Sequence, residues 1–405
     1  MSEIFDIIGK EKQRQLDTLG MIPSENLASK AVLDACGSVL NNKYSEGYPL
    51  KRYYQGQEFV DKIELMAIEL AKKLFNAEHA NVQPNSGSPA NMAAYDAMLE
   101  PNDKVMSMNL AQGGHLTHGH AVNFSGKKYN FVNYSLDKET EMLDMDKVAE
   151  LADNEKPKMI LSGYTAYPRL IDFRKFNKIA ESVGAYSMSD ISHIAGLIVG
   201  DAHPSPFPFT DVVTTTTHKT LRGPRSAIIL SKGKFAKQVD KAVFPGIQGG
   251  PHEHTIASKA ICFEEALEPE FKDYAAQIVK NAQALAKVMM DSGLKLVSNG
   301  TDNHLLLIDL RPLGLEAKGR AAAVALEDAG IVTNANTIPY ETGSPFNPSG
   351  VRLGTPLLTT RGMKEEEMEK IGHWFVEVLK NHESSETKQK VKEQVLSLCK
   401  EFPFY

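Results

Sequence analysis

Along the first 75 positions apolar residues recur at helical spacing. Residues 3–19 form an amphipathic stretch that predicts a helical arm, followed by the loop Pro23-Ser24-Glu25-Asn26. Residues 58–74 predict a second helix, with Ile63, Met66, Leu70 and Leu74 on one face. From there to about residue 230 the pattern changes to short β-rich runs separated by helical segments. Strands are predicted at 80–83, 104–109, 159–163, 185–190, 211–217 and 227–231. Such alternation predicts an α/β fold, a mostly parallel sheet with helices on its faces. Further on, residues 255–291 predict helix interrupted at Pro269, residues 305–310 a buried strand, and residues 318–329 and 363–382 two more helices. We place the boundary near residue 270. That gives an arm plus large domain over 1–270 and a smaller C-terminal α/β domain over 271–405.

Composition narrows the function more than the fold. The 405 residues are 42% hydrophobic and 24% charged, ordinary for a globular protein. A net charge of −6 offers no global attraction for nucleic acid or an anionic membrane, so any anionic ligand needs a local constellation. Cys36, Cys262 and Cys399 are few and far apart, which favours a reducing cytoplasm over a disulfide framework. The N-terminus lacks a signal peptide's apolar core, and Glu3 and Asp6 argue against a transit peptide. No apolar run approaches membrane-spanning length.

The strongest chemical signal is the segment Asp211-Val-Val-Thr-Thr-Thr-Thr-His218-Lys219-Thr-Leu-Arg222-Gly-Pro-Arg225. A β-branched strand ends in a polar cluster, and ligands of parallel α/β sheets collect outside such carboxyl ends. Arg222 and Arg225 would push the Lys219 ammonium pKa down, towards the neutral amine that Schiff-base chemistry needs. An exposed loop lysine is the plainer alternative. Asp190 ends an earlier predicted strand and is followed by Ile-Ser-His193. A carboxylate and a lysine at two strand ends match what pyridoxal phosphate requires, although Asp190 could equally cap a helix. Asn85-Ser86-Gly87-Ser88-Pro89 opens a predicted helix over 89–99, where free N–H groups and the hydroxyls of Ser86 and Ser88 would suit a phosphate or simply cap the helix. His115 follows the paired glycines Gly113 and Gly114 and could stack on a flat ring, or be a loop histidine bonded to backbone. His118 and His120 cluster with it, but no carboxylate or cysteine is spaced to complete a zinc set. Arg352, between Gly350 and Gly354 on a predicted strand, could present its planar fork to a substrate carboxylate or sit in an ordinary salt bridge.

Taken together these segments resemble serine hydroxymethyltransferase over nearly the whole chain. The likeness runs through Pro23 to Asn26, Asn42 to Pro49, Arg52-Tyr53-Tyr54, Gly113 to Gly119, His193 to Leu197 and Thr214 to Arg225. It continues through Phe244 to Pro251, Thr301 to His304, Asn336 to Tyr340, Ser344 to Phe346 and the Arg352 motif. The resemblance implies an aminotransferase-like pyridoxal-phosphate fold of type I and a homodimer or dimer of dimers. It implies that Lys219, beside His218, carries the cofactor as a Schiff base, that Asp190 partners the pyridine nitrogen and that His115 stacks on the ring. His193 would lie near the phenolic oxygen, Thr165 would keep a hydroxyl contact, and Ser86, Gly87 and Ser88 would hold the phosphate. Gly249 and Gly250 would reach that phosphate from a neighbouring subunit. Ser24 and Arg352 would position serine or glycine, with Tyr44 and Tyr54 arriving from the partner chain and Glu46 moving a proton. Leu110, Gly114, Leu116, Asn336, Ser344, Pro345 and Phe346 would line a tetrahydrofolate pocket. A pyridoxal-phosphate aldolase acting on threonine without folate would use the same Lys219, Asp190 and Arg352, so only the folate-side residues separate the two readings. Thr165 stands where the family usually has serine, Pro89 replaces a usual glutamine, and His252-Glu253-His254 departs from a usually more apolar stretch.

Overall fold

The computed structural model describes residues 2–344 and 346–405, and the chain divides into two compact units. One comprises residues 26–165 and 170–276. The other comprises residues 1–25, 166–169 and 277–405.

The first unit is built on a seven-stranded sheet: β1 His79–Asn81, β2 Lys104–Met108, β3 Asn130–Tyr134, β4 Met159–Ser162, β5 Tyr186–Asp190, β6 Val212–Thr216 and β7 Ala227–Ser231. Their spatial order is β1-β7-β6-β5-β4-β2-β3. Neighbours from β6 to β3 pair parallel, whereas β7 is antiparallel to both β6 and β1. The expected mostly parallel sheet is therefore present. β4, β6 and β7 are buried along their whole length, which explains why they read as unbroken apolar or β-branched runs. The helix Gly87–Met98 lays Ala90, Ala93 and Ala94 into the core that contains Val105, Met159, Leu161, Met188, Val212 and Ile229. Small side chains there let the helix approach the sheet closely.

The second unit carries a four-stranded antiparallel sheet, β8 Lys295–Leu296, β9 Leu305–Asp309, β10 Asn334–Asn336 and β11 Gly350–Gly354, in the order β8-β9-β11-β10. Its register sets Arg352 between Leu307 and Asn334. The helices Gly319–Asp328, Glu365–Lys380 and Ser385–Glu401 belong to the same unit. Glu365–Lys380 opens on three glutamates, which suit the positive end of the helix dipole, and buries Met368, Ile371, Phe375 and Leu379.

Most predicted elements appear within a residue or two, including the break at Pro269 between the helices Glu253–Leu267 and Glu270–Asp291. The helix Glu58–Phe75 turns an unexpected face inward. Val60, Asp61, Glu64, Ala67, Ala71 and Phe75 are buried, while Met66 is exposed. The inward face includes two acids because a buried arginine meets them, a partner that apolar periodicity does not register.

Candidate active site

Each chemically suggestive residue of the large sheet lies just past the carboxyl end of a parallel strand. Asp190 is the last residue of β5, Lys219 lies three residues past β6, Thr165 three past β4, and His115 seven past β2. Asp190 and Lys219 follow neighbouring strands, paired with Asp190 opposite Thr214. Gly163 makes this packing feasible: its φ is +115°, and a Cβ there would fall 1.9 Å from the Asp190 carbonyl oxygen.

Asp190 is gripped on both carboxylate oxygens. Oδ1 accepts from the Ser192 hydroxyl (2.6 Å) and backbone N–H (3.1 Å), and Oδ2 from Asn91 Nδ2 (2.9 Å). His118 Nε2 lies 3.2 Å from the same Oδ2. His118 Nδ1 accepts from the backbone N–H of His115 (3.2 Å), so the nitrogen facing Asp190 carries the hydrogen. Burial opposes ionisation of Asp190. The hydrogen bond from His118, with His115 and Lys219 beyond, outweighs it and holds the carboxyl well below the usual carboxylate range. Asp190 is not a helix cap, since the next helix, Ala195–Val199, begins after Ile194.

Sequence reading missed Asn91, and it weighed His118 only as a possible metal ligand, not as the partner of Asp190. The Asn91 amide donates to Asp190 and to the Thr117 hydroxyl (2.8 Å) and accepts from the Thr214 hydroxyl (2.6 Å). Thr117 in turn bonds His115 Nδ1 (2.8 Å). One buried amide thus links the helix Gly87–Met98, the His115 loop and β6. Its signal was present in the sequence, an asparagine inside an otherwise small and apolar helical face.

Lys219 has its carbonyl held by Asn26 Nδ2 (2.9 Å) and by the backbone N–H of Arg222 (3.1 Å). Arg222, at φ +62°, turns its guanidinium over the ring of Tyr274, 4.1 Å from the centroid. Burial, followed by the charges of Lys219 and Arg225, pushes the His218 imidazole down to about 3, so His218 is neutral at physiological pH. His193 is buried, and its carbonyl accepts from the Thr220 hydroxyl (3.1 Å). The Thr165 hydroxyl donates to the carbonyls of Gly114 (2.8 Å) and Gly113 (3.2 Å), clasping the loop that carries His115. Gly114 meets the chain so closely that a Cβ would sit 2.3 Å from the Met108 carbonyl oxygen. On the same loop Leu110 begins a short 3-10 turn, and Leu116 is exposed.

The helix Gly87–Met98 offers a cradle. Ser86 occupies the N-cap with extended backbone, yet its hydroxyl makes no capping bond. A Cβ on Gly87 would meet the Thr216 methyl at 2.8 Å. Among the described residues Asn85 Oδ1, Thr216 Oγ1 and His218 Nδ1 are buried without a hydrogen-bond partner. An uncapped helix start, orphaned polar atoms, a charged buried carboxylate and a lysine on the next strand fit pyridoxal phosphate by the chemistry of every group. No group of three or more His, Cys, Asp or Glu among the described residues is arranged to hold a metal.

Other candidates gather in a second cluster of the same unit. The Tyr44 hydroxyl lies 3.5 Å from Glu46 Oε1, and its ring is 5.4 Å from that of Tyr54. Glu46 faces Gly249, where a Cβ would stand 3.1 Å from Oε1, and Gly250 faces the Tyr44 ring. Beneath the hairpin formed by Gly47–Tyr48 and Lys51–Arg52 lies a buried ionic core. Arg52 donates to Asp61 (2.9 Å), to Glu64 (2.5 Å) and to the carbonyls of Ser45 (2.8 Å) and Gly47 (3.0 Å), and lies 3.8 Å from Glu253. The Ser45 hydroxyl bonds Glu253 Oε1, whereas Oε2 is buried with no partner among the described residues. Burial, then the adjacent Glu64, pushes the Glu253 carboxyl up to about 7 against Ser45, Arg52 and Lys259. Burial pushes Lys259 down to about 7, and its ammonium is surrounded by the Val82 carbonyl, the Ser226 hydroxyl and the Ala227 carbonyl.

The remaining candidates belong to the other unit. Arg352 Nε donates to Asn334 Oδ1 (3.0 Å), and burial pushes its guanidinium down to about 10. Ser24 is half-buried in the loop after the first helix. Asn336 ends β10, Ser344 pairs with Asn347 in the loop that follows, and Phe346 is exposed there. Pro345 lies outside the described residues.

A lysine and a buried, ionised carboxylate at adjacent ends of a mostly parallel sheet, beside an uncapped helix, define a pyridoxal-phosphate-dependent enzyme of fold type I. Residues 1–375 match the family model described as serine hydroxymethyltransferase. The chain is also 54% identical over 403 residues to the serine hydroxymethyltransferase of Koribacter versatilis (strain Ellin345), a match covering 100% of this chain and 94% of that protein. The chain belongs to the serine hydroxymethyltransferase family.

Proposed function

We propose that this chain catalyses the reversible transfer of the hydroxymethyl carbon of serine to tetrahydrofolate, giving glycine and 5,10-methylenetetrahydrofolate. The observation that carries the reading is Asp190, buried yet held ionised, one strand away from Lys219. Pyridoxal phosphate, when bound, supplies the electron sink for the breaking Cα–Cβ bond. Lys219 would hold the cofactor through its side-chain amine. Asp190 accepts the pyridine N–H and keeps that proton in place, with Asn91, Ser192 and His118 fixing its direction. His115 covers the ring, and Ser86, Gly87 and Ser88 receive the phosphate at the helix start. Arg352 and Ser24 orient the substrate carboxylate, and Glu46 moves the proton at the hydroxymethyl oxygen.

Tyr44, Glu46, Tyr54, Gly249 and Gly250, which lie together in one cluster, serve the site of a second copy, so the working enzyme is a homodimer or a dimer of dimers. The exposure of Tyr44, Leu50, Tyr53 and Tyr54 around one hairpin supports that assignment. A cytoplasmic location is proposed with it. Among the described residues no helix is long and apolar enough to cross a membrane.

The test is serine cleavage with and without tetrahydrofolate, on wild type and Lys219→Ala. Tetrahydrofolate should accelerate the wild type strongly, and the variant should be inactive. Equal rates with and without tetrahydrofolate would make the protein a folate-independent aldolase instead. Borohydride treatment of the holoenzyme should bleach its visible absorbance, and an unchanged spectrum would refute the Lys219 linkage.

A further inference from the structure

Between β10 and β11, the described residues 337–344 and 346–349 are tied together by one carboxylate. Glu341 Oε1 accepts from the backbone N–H of Gly343 (2.7 Å) and the hydroxyl of Ser349 (2.7 Å). Its Oε2 accepts from the backbone N–H of Ser349 (2.8 Å) and of Ile338 (3.3 Å). The side chain therefore ties the start of the loop, its middle and its return into β11 to one point. Ser349 extends the tie, because its Oγ also accepts from the backbone N–H of Ala317 (3.0 Å). Burial disfavours the charge of Glu341, but the bonds from Ser349, Gly343 and Ile338 prevail and hold it below the usual glutamate range. It is thus a permanent anion at neutral pH.

Other contacts hold the loop chiefly at its two ends: Ile338 is buried, and the carbonyls of Pro348 and Ser349 accept from the backbone N–H groups of Gly319 (2.7 Å) and Leu310 (2.9 Å), while Thr342 donates to Glu316 (2.6 Å) in between. Tyr340 adopts φ +55° beside Glu341, and a Cβ on Gly343 would stand 3.0 Å from Glu341 Oε1 and 2.5 Å from the Asn347 carbonyl. Phe346 is 83% exposed, so apolar burial does not fix its position. Three backbone N–H groups converging on one carboxylate are costly to leave unmet, and they specify the path of the chain rather than merely its stability.

We propose that Glu341 is a positioning residue for tetrahydrofolate: through its bonds to Ile338, Gly343 and Ser349 it holds Asn336, Ser344 and Phe346 where the pterin side of the substrate needs them. The inference rests on the transferase reading above. It assigns no contact between Glu341 and either substrate.

Its test compares Glu341→Ala, Glu341→Gln and Ser349→Ala holoenzymes with wild type in two reactions. One is tetrahydrofolate-dependent serine cleavage, and the other is folate-independent cleavage of a 3-hydroxy amino acid such as allo-threonine. Glu341→Ala should raise the KM for tetrahydrofolate about tenfold, and Glu341→Gln, which keeps one acceptor oxygen, by about threefold. Ser349→Ala should show the smallest rise. The KM for serine and the folate-independent rate should stay within about twofold throughout. A parallel loss in both reactions would reduce Glu341 to a general structural role, and an unchanged KM for tetrahydrofolate would overturn the proposal outright. Should Glu341→Ala fail to fold, the Gln and Ser349 variants decide the matter by the same split. A wild type that tetrahydrofolate does not accelerate overturns the transferase reading and this inference together, whereas an accelerated wild type with indifferent variants overturns only the inference.

Discussion

Asp190 and Glu253 are both carboxyls largely withdrawn from water, and the structure moves their pKa values in opposite directions. Asp190 receives hydrogen bonds on both oxygens from Ser192, Asn91 and His118, and those donors more than offset its burial. Glu253 has one bonded oxygen and one orphan, and Glu64 stands beside it. Three carboxyls, Asp61, Glu64 and Glu253, share Arg52 and Lys259, so one acid is in excess if every group ionises. Burial alone does not decide the charge of a group. The number of donors aimed at it does.

The sharpest way to break the comparison is to remove the cation of the hairpin core. Arg52→Ala leaves Asp61 and Glu64 buried without their shared partner, and should cost about 3–5 kcal/mol of folding stability by denaturant titration. A loss under about 1 kcal/mol would mean the acids simply protonate or rehydrate. At the other carboxyl, Asp190→Asn keeps shape but removes the charge. Serine-cleavage kcat should fall by about two to three orders of magnitude with a shifted cofactor spectrum, and unaltered turnover would dissociate Asp190 from the ring nitrogen.

The opposite sign is expected at Glu253. Its carboxyl is pushed up from the ordinary 4.5 to about 7, so the folded state holds its proton more tightly than the unfolded chain does. The stability this confers is complete below about pH 4.5 and is lost as pH rises towards 7, at no more than about 1.4 kcal/mol per pH unit. Glu253→Gln should therefore melt a few degrees above wild type at pH 8, and the advantage should vanish near pH 5. An advantage that grows on acidification would show Glu253 to be ionised in the folded protein. The mildest change is Asn91→Ala, which should lower kcat about tenfold while leaving the KM for serine nearly unchanged, because it loosens Asp190 without touching the amino acid.

Much of the scaffold around Asp190 could be read from the chain because its signals are local. A β-branched run ending in polar residues marked β6, and a short alternating run ending in Asp190 marked β5; Asp190 and Lys219 sit at or just past those ends. The surroundings of Glu253 could not be read that way. Arg52 meets Asp61 and Glu64 only after the hairpin Gly47–Tyr48 and Lys51–Arg52 folds over the helix Glu58–Phe75. The period of apolar residues pointed to Ile63 and Met66, whereas ion pairing decided which face of that helix was buried. Glu341 was missed for a related reason: three of its four partners are backbone N–H groups, which are the same at every position in a sequence. β3 and the helix Ser385–Glu401 also went unread, the latter because its buried Val391, Val395, Leu398 and Cys399 are thinly spread among charged residues.

The clasp made by Thr165 carries a consequence for the timing of order in the His115 loop. A serine could make the same bonds to Gly113 and Gly114, but it would turn more freely about χ1, while the branched threonine is confined to fewer rotamers. The conformational entropy of that loop is thus surrendered when the chain folds rather than when a ligand arrives. His115 is thereby held in place before any ligand arrives.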